Sequence, residues 1–145
     1  MSFPKRFDNA REAKIYKQSV DAGYFKPEYN QNKSKETFVV PIPPPNVTGV
    51  LHIGHGLFVT IQDAFCRYHR MKGKQVLWVP GTDHAGISTQ VQVEKKLQKE
   101  QGLSRHDIGR TDFLAKTREF ASEHRQIILD QFKLLGASVD WDREQ

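Results

Sequence analysis

The sequence contains a single cysteine, Cys66, among its 145 residues. A disulfide within the chain is therefore excluded, and no zinc site can be assembled from cysteine ligands. Long apolar stretches are absent too, because no segment approaches the ~18 consecutive apolar residues of a membrane-spanning helix. Residues 1–8 lack the apolar core of a secretory signal. These absences predict a cytoplasmic protein that does not span a membrane.

Strong compositional bias is also missing. The sequence has no arginine-rich run, aromatic stacking motif, internal repeat or low-complexity tract. Its formal net charge of +5 permits nucleic-acid binding without specifying it. Hydrophobic residues make up 37% of the chain, and the mean hydropathy is −0.64. Both values are low for a closed globule and favour a segment of a larger protein, with faces that other segments cover.

Hydrophobic periodicity predicts alternating helices and strands. The predicted elements are a helix over 10–20, a polar loop over 30–35, a strand over 37–42, a helix from 52 to about 71, a strand over 76–79, helices over 87–101 and 113–135, and the opening of a strand at 138–141. A weak capping turn is predicted at 104–107. Strand, helix and strand at this spacing predict a right-handed βαβ unit with parallel strands, and hence an α/β fold.

The most informative segment joins the first predicted strand to the following helix and reads PPPNVTGVLHIGH (residues 43–55). A helix start presents unpaired N–H groups and a partial positive charge, and such a junction is where α/β folds bind phosphate. Gly54 has no side chain, so a ligand can approach the backbone there. His52 and His55 lie one turn apart and can face the same ligand. The residues alone also allow a surface histidine pair at a helix cap.

A second segment, GTDHAGI (residues 81–87), follows the second predicted strand. The carboxyl ends of such strands form one rim, where α/β folds bind ligands. This segment is therefore predicted to lie beside His52 and His55. Asp83 is there either a turn residue or a ligand-binding carboxylate, and His84 either faces the nucleotide or caps the next helix. The spacing of His52, His55 and His84 does not favour a metal site, and no carboxylate or cysteine completes a recognisable ligand set with them, so no metal site is predicted.

Residues 52–55 read HIGH and resemble the signature of the class I aminoacyl-tRNA synthetases. The flanking PPPNVTG and GTDHAGI segments are similar to the valyl members of that family. Leucyl and isoleucyl members usually carry a tryptophan at the position of Thr82. Gly56 and Ser88 stand where alanine is common, and both changes are small. The resemblance runs from the first predicted helix to Gln145.

The resemblance implies specific roles for residues of both segments. His52 and His55 are implied to contact the ATP phosphates and to stabilise the transition state of adenylate formation. Asp83 is implied to bind the α-ammonium of valine, and Asn46 the same group or an adjacent backbone group. The remaining implied residues line the ATP approach or contact the phosphates (Thr48, Gly49 and Gly54) or shape the wall of the amino-acid pocket (Pro43, Pro44 and Pro45).

The resemblance further implies the first half of a Rossmann-like catalytic domain over 37–145, preceded by a helix and polar loop over 1–36. Its substrates would be valine, ATP with Mg²⁺, and tRNA(Val), in a monomeric parent enzyme. The KMSKS loop and the editing and anticodon-binding regions of the family have no counterpart in the sequence. Three alternatives stay open: an isoleucyl or leucyl enzyme, a free-standing nucleotidyltransferase, and a non-catalytic nucleotide- or tRNA-binding module.

Overall fold

A computed structural model describes residues 8–30 and 33–145. Parts of the predicted polar loop and of the N-terminal segment lie outside the described residues. The described helices and strands, in chain order, are α1 (Glu12–Asp21), β1 (Thr37–Pro41), α2 (Ile53–Met71), β2 (Gln75–Val79), α3 (Gly86–Gln101) and α4 (Arg105–Leu134). Single 3₁₀ turns lie at Asn9–Arg11, Pro27–Asn30 and Trp141–Arg143. The alternation of helices and strands confirms the predicted α/β class.

The two strands pair in parallel, as predicted for the βαβ unit, with Thr37 opposite Gln75 and Pro41 opposite Val79. Helix α2 is the crossover between them, and its apolar residues recur at helical spacing. One face of the sheet packs with α2 and α4 into the main core. The most buried members of this core are Val47, Val59, Cys66, Val76, Trp78, Ile128, Phe132, Ala137 and Val139.

The strand predicted at 138–141 does not form. Residues 137–140 instead run beside β2 as a buried extended segment, and the Asp140 amide donates to the Trp78 carbonyl at 2.9 Å. Immediately afterwards the Asp140 carboxylate accepts from the Asp142 amide at 3.2 Å. This bond caps the 3₁₀ turn that begins at Trp141. The capped turn ends the extended run after too few residues to pair as a strand.

Helix α4 begins eight residues before its predicted start at Phe113. Ser104 and Asp107 form a capping box, in which the Ser104 hydroxyl accepts from the His106 amide at 3.3 Å and Asp107 accepts from the Ser104 amide at 2.8 Å. The predicted capping turn is thus confirmed. The first turns carry little apolar periodicity, and Gly109 interrupts them with a left-handed φ of 79°. The sequence therefore shows a helical pattern only beyond this break.

Polar side chains fix the segment 137–140 against α2. The Asp63 carboxylate accepts from the Ser138 amide at 2.9 Å. Arg70 donates to the Ser138 carbonyl at 2.7 Å and to the Phe25 carbonyl at 3.0 Å. Because Arg70 contacts both segments, it joins the N-terminal region to the core.

Tyr16 makes a second connection between the N-terminal region and the core. Its hydroxyl donates to the Ala137 carbonyl at 2.8 Å and accepts from the Trp141 indole N–H at 2.8 Å. Burial raises the pKa of Tyr16 to about 12, so the hydroxyl keeps its proton for this bond. Helix α1 therefore packs on residues near the C-terminal end of the sequence. The predicted domain boundary at residue 36 stays a prediction.

Helix α2 exposes an apolar stripe on the side away from the core. Leu57, Ile61, Phe65 and Tyr68 follow one another at intervals of four, four and three residues and are each 48–63% exposed. Contiguous exposed apolar surface of this kind favours association. Among the described helices, none is long and apolar enough to cross a membrane.

We expect the isolated 145-residue chain to self-associate through this stripe. Phe65→Glu should shift sedimentation-velocity profiles toward the monomer without lowering the midpoint of thermal unfolding, because Phe65 is 56% exposed. Ile87→Glu is the matched control, since Ile87 is 83% exposed but lies on α3. Equal effects of the two substitutions, or a wild-type chain that stays monomeric at high concentration, would contradict this expectation.

Candidate active site

The loops that follow β1 and β2 are joined by backbone hydrogen bonds. The Asp83 amide donates to the Pro45 carbonyl at 2.8 Å, and the Val47 amide donates to the Asp83 carbonyl at 3.0 Å. Asn46 and Asp83 thereby form an isolated parallel bridge. We call this pairing the seam. Its position confirms the prediction that both sequence segments lie on the same rim of the sheet.

The proline run explains why the seam is separate from the sheet. Residues 43–45 have no backbone N–H, so they cannot donate to a ladder. The last regular bond runs from the Ile42 amide to the Val79 carbonyl at 2.9 Å. Pairing resumes at Asn46 and Asp83, shifted by one residue relative to the strands. The extra residue on the proline side makes that loop bulge outward.

The bulged loop and the start of α2 enclose a cleft of about 380 Å³. Eight of the predicted site residues line it: Pro43, Pro44, Pro45, Asn46, Thr48, Gly49, His52 and His55. Asp83 adjoins this cleft through the seam, and Gly54 lies in the first turn of α2. Four apolar residues that also line the cleft were not predicted as site residues: Val50, Leu51, Phe58 and Ile128. Phe58 follows His55 by one turn and could have been inferred, whereas Ile128 comes from α4 without a local signal.

The two histidines form a capping box at the start of α2. His52 Nδ1 accepts from the Gly54 amide at 3.1 Å, and His55 Nδ1 accepts from the His52 amide at 3.1 Å. Their ring centroids are 3.9 Å apart. A nitrogen that accepts a hydrogen bond carries no proton, so each neutral ring holds its proton on Nε2. Both rings therefore keep one N–H donor that the cap does not use.

The backbone amides of this helix start are mostly paired within the chain. The Gly54 amide bonds to His52 Nδ1, and the amides of His55 and Gly56 donate to the His52 carbonyl at 2.9 and 3.2 Å. The sequence-based expectation of unpaired amides is therefore wrong for Gly54 and His55, whereas the Gly56 bond is the ordinary first bond of the helix. Among the described residues the Ile53 amide has no hydrogen-bond partner, so this amide and the imidazole Nε2–H groups are the donors that remain for an anion.

Gly54 is needed by the neighbouring histidine as well as by any ligand. A Cβ atom on Gly54 would lie 2.9 Å from His52 Cε1 and 3.1 Å from His52 Nδ1. Such separations are too short for carbon–carbon and carbon–nitrogen contacts. Any larger residue would displace the His52 ring and break the cap.

Burial lowers the pKa of His55, and the adjacent His52 lowers it further. The positive end of the α2 dipole acts in the same direction. His55 is therefore neutral at pH 7, which is the state that the capping box requires.

We expect the capping box to weaken at acidic pH. Because the folded-state pKa of His55 is below its unfolded value of about 6.5, the folded state binds this proton less readily. The stability linked to this group is present above pH ~6.5 and is lost as the pH falls through the lower, folded-state value. Denaturant unfolding at pH 7 and pH 5 measures this loss.

His55→Gln is the control for the pH experiment, because glutamine can accept the same capping bond and does not titrate. Wild type and this variant should have similar unfolding free energies at pH 7, and wild type should be the less stable of the two at pH 5. A difference that does not change between the two pH values would rule out titration of His55 as the cause.

The second segment has an uncommon backbone conformation where α3 begins. Ala85 adopts a left-handed conformation with φ 45° and ψ 47°, which costs a non-glycine residue about 1–2 kcal/mol. Helix α3 has no side-chain cap, so the alternative in which His84 caps it is wrong. The Thr89 hydroxyl instead donates to the His84 carbonyl at 2.6 Å. The His84 ring lines a different hollow, of about 630 Å³, together with Arg118 and other residues.

Residues 14–145 match the family described as tRNA synthetases class I (I, L, M and V). The chain belongs to this family. Its relatives include the mitochondrial valine–tRNA ligase of Sus scrofa, 56% identical over 136 residues, and the valine–tRNA ligase of Treponema denticola, 54% identical over 142 residues. These alignments cover 92% and 98% of the chain but only 13% and 15% of the relatives. The chain thus spans about one seventh of the synthetases that it matches.

A synthetase of known structure shares the fold. The crystal structure of the ternary complex of Agrobacterium radiobacter K84 agnB2 LeuRS with tRNA and LeuAMS superposes with a TM-score of 0.69. The superposition covers 97% of this chain and 16% of that one, at 19% sequence identity. At this identity the likeness supports the fold alone. It agrees with the predicted start of a Rossmann-like catalytic domain.

Proposed function

We propose that this chain supplies the ATP- and valine-binding residues of a valine–tRNA ligase. The parent reaction joins valine to ATP as valyl-adenylate, releases pyrophosphate, and then transfers the valyl group to tRNA. The observation that carries the proposal is the capping box of His52 and His55, which leaves the Nε2–H groups of both rings unused beside the seam. The names of the relatives above 50% identity support the choice of amino acid.

In the first step a carboxylate oxygen of valine attacks the α-phosphorus of ATP. A new P–O bond forms there, and the bond to the bridging oxygen of pyrophosphate breaks. Negative charge grows on the phosphate oxygens as this happens. Donors that are fixed before the reaction stabilise such charge without reorganising. His52 and His55 meet this condition because the capping box holds both rings.

The other cleft residues fit binding roles. The Thr48 hydroxyl and the open backbone at Gly49, where nothing lies within 4 Å of an added Cβ, suit the approach of ATP. The three prolines form a rigid wall for the valine side chain. Asp83 is exposed and lies at the seam, where its carboxylate can pair with the valine ammonium, and Asn46 lies across from it.

Magnesium belongs to the ATP substrate in this proposal. The residues that line the cleft include no carboxylate. They therefore fit an ion that the phosphates hold, and magnesium would add charge neutralisation there. Among the described residues, no group of three or more histidine, cysteine, aspartate or glutamate side chains is placed to hold a metal ion.

The remaining assignments stay proposals. tRNA(Val) is the proposed acceptor and a monomer the proposed state of the parent enzyme. A cytoplasmic location is also a proposal, and one of the two ligases named above is mitochondrial.

Amino-acid-dependent ATP–pyrophosphate exchange tests the proposal in the full-length protein that carries this segment. We expect exchange with valine and much slower exchange with isoleucine or leucine. Faster exchange with isoleucine or leucine would favour the corresponding synthetase instead. Nucleotide binding without any exchange would favour a non-catalytic module.

A further inference from the structure

A side chain from α4 holds the peptide amide that precedes the histidine pair. The Leu51 N–H donates to Gln131 Oε1 at 2.8 Å, although the two residues are 80 positions apart in the sequence. Leu51 is followed directly by His52, the N-cap of α2. The bond therefore acts on the chain one residue before the first candidate catalytic ring.

This bond is one of two hydrogen-bonded anchors of the loop over the cleft, and the Leu51 side chain also packs against the main core. The first anchor is the seam at Asn46, and the second is the Leu51–Gln131 bond. Between them, no hydrogen bond to residues 48–50 occurs within the described parts of the chain, 8–30 and 33–145. The course of the loop into α2 thus depends on what fixes Leu51.

Gln131 is itself presented from a rigid surface. Ile128 and Phe132 lie within one turn of it on α4 and are 1% and 0% exposed. Ile128 also lines the cleft. Because these neighbours are fixed in the core, they fix the helix backbone from which the Gln131 carboxamide reaches the Leu51 amide.

We propose that Gln131 is a positioning residue for His52 and His55. By accepting the Leu51 N–H it fixes where α2 begins, and so it fixes the direction of the two Nε2–H groups. The inference rests on the proposed function for its catalytic consequence but not for its structural one. A displacement of about 1 Å at a reacting centre is enough to cost ~10²-fold in rate.

Three variants separate positioning from general stability. Gln131→Met keeps the length of the side chain and removes the acceptor. Gln131→Glu keeps an acceptor oxygen at the same reach. Gln126→Met is the matched control, because Gln126 lies on the same helix and, among the described residues, its amide donates only to the exposed Asp130, at 3.0 Å.

The kinetic readout is valine-dependent ATP–pyrophosphate exchange in the full-length protein. We expect Gln131→Met to lower kcat by roughly 10- to 100-fold with little change in the KM for valine. Gln131→Glu should recover most of that loss, and Gln126→Met should match wild type. A Met variant within twofold of wild type, or a folded Glu variant as slow as the Met variant, would overturn the proposal.

The structural readout does not depend on catalysis and uses nitrogen-15 NMR of the full-length protein. Gln131→Met should speed hydrogen exchange of the Leu51 amide by about fivefold, the protection that one ordinary hydrogen bond gives. The imidazole signals of His52 and His55 should change from one Nε2–H tautomer to a mixture. Should the Met variant not fold, the same signals in Gln131→Glu must stay as in wild type.

The two readouts separate the two proposals. An enzyme that does not activate valine, but whose Leu51 and histidine signals respond to Gln131→Met, contradicts the function and supports the positioning role. Unchanged histidine signals in a folded Met variant contradict the positioning role, whatever the enzyme activates.

Discussion

Replacing His55 with alanine in the full-length protein is expected to slow valyl-adenylate formation by about 10²–10³-fold, the usual cost of one lost transition-state donor. The affinity for valine should change little, because His55 acts on the phosphate. Single-turnover formation of the adenylate measures the first effect, and equilibrium binding of valine the second. An unchanged rate of valine activation would refute the role of His55.

The alanine substitution also removes a cap, so its two consequences must be separated. His55 Nδ1 accepts from the His52 amide, and losing such a cap costs about 0.5–2 kcal/mol of stability. Glutamine at the third helical position restores this bond but cannot place the Nε2–H of an imidazole. We therefore expect His55→Gln to recover the unfolding free energy and to stay well below wild type in rate.

Asp83 is exposed in this chain. If bound valine and the rest of the full-length protein desolvate the charge pair, Asp83→Asn is expected to weaken valine binding by about 2–5 kcal/mol. Asparagine keeps the shape of aspartate and removes only the charge. The seam should survive, because it uses the backbone N–H and carbonyl of Asp83. Equilibrium binding of valine measures the loss.

Asp112→Asn is the matched control for this experiment, because Asp112 is an exposed carboxylate on α4. It should bind valine like wild type. If Asp83→Asn binds valine normally and impairs only the transfer to tRNA, the assignment of the ammonium to Asp83 is wrong.

The sequence predicted the βαβ unit and the convergence of its two loops well. Both depend on local signals: the apolar runs of β1 and β2, the periodic pattern of α2, and the rule that parallel strands end at a common rim. The seam between Asn46 and Asp83 shows directly that the loops after β1 and β2 meet at this rim.

Prediction from the sequence failed where contacts between distant residues determine the local structure. The segment 138–141 has strand-like residues, but the Asp140 carboxylate caps a 3₁₀ turn and redirects the chain. The paired amides at the start of α2 could not be foreseen either, because histidine is not a usual capping residue. The Leu51–Gln131 bond joins residues 80 positions apart and leaves no local pattern.

The seam has a consequence for how substrate preference can change. Its two hydrogen bonds use only backbone atoms, so the alignment of the loops does not depend on which side chains stand at 46 and 83. Substitutions at these two positions can change which side-chain groups contact a substrate, while the backbone arrangement of the two loops stays the same. The amino-acid preference of such a site can change by single substitutions, because each substitution can affect activity without disrupting the pairing of the two loops.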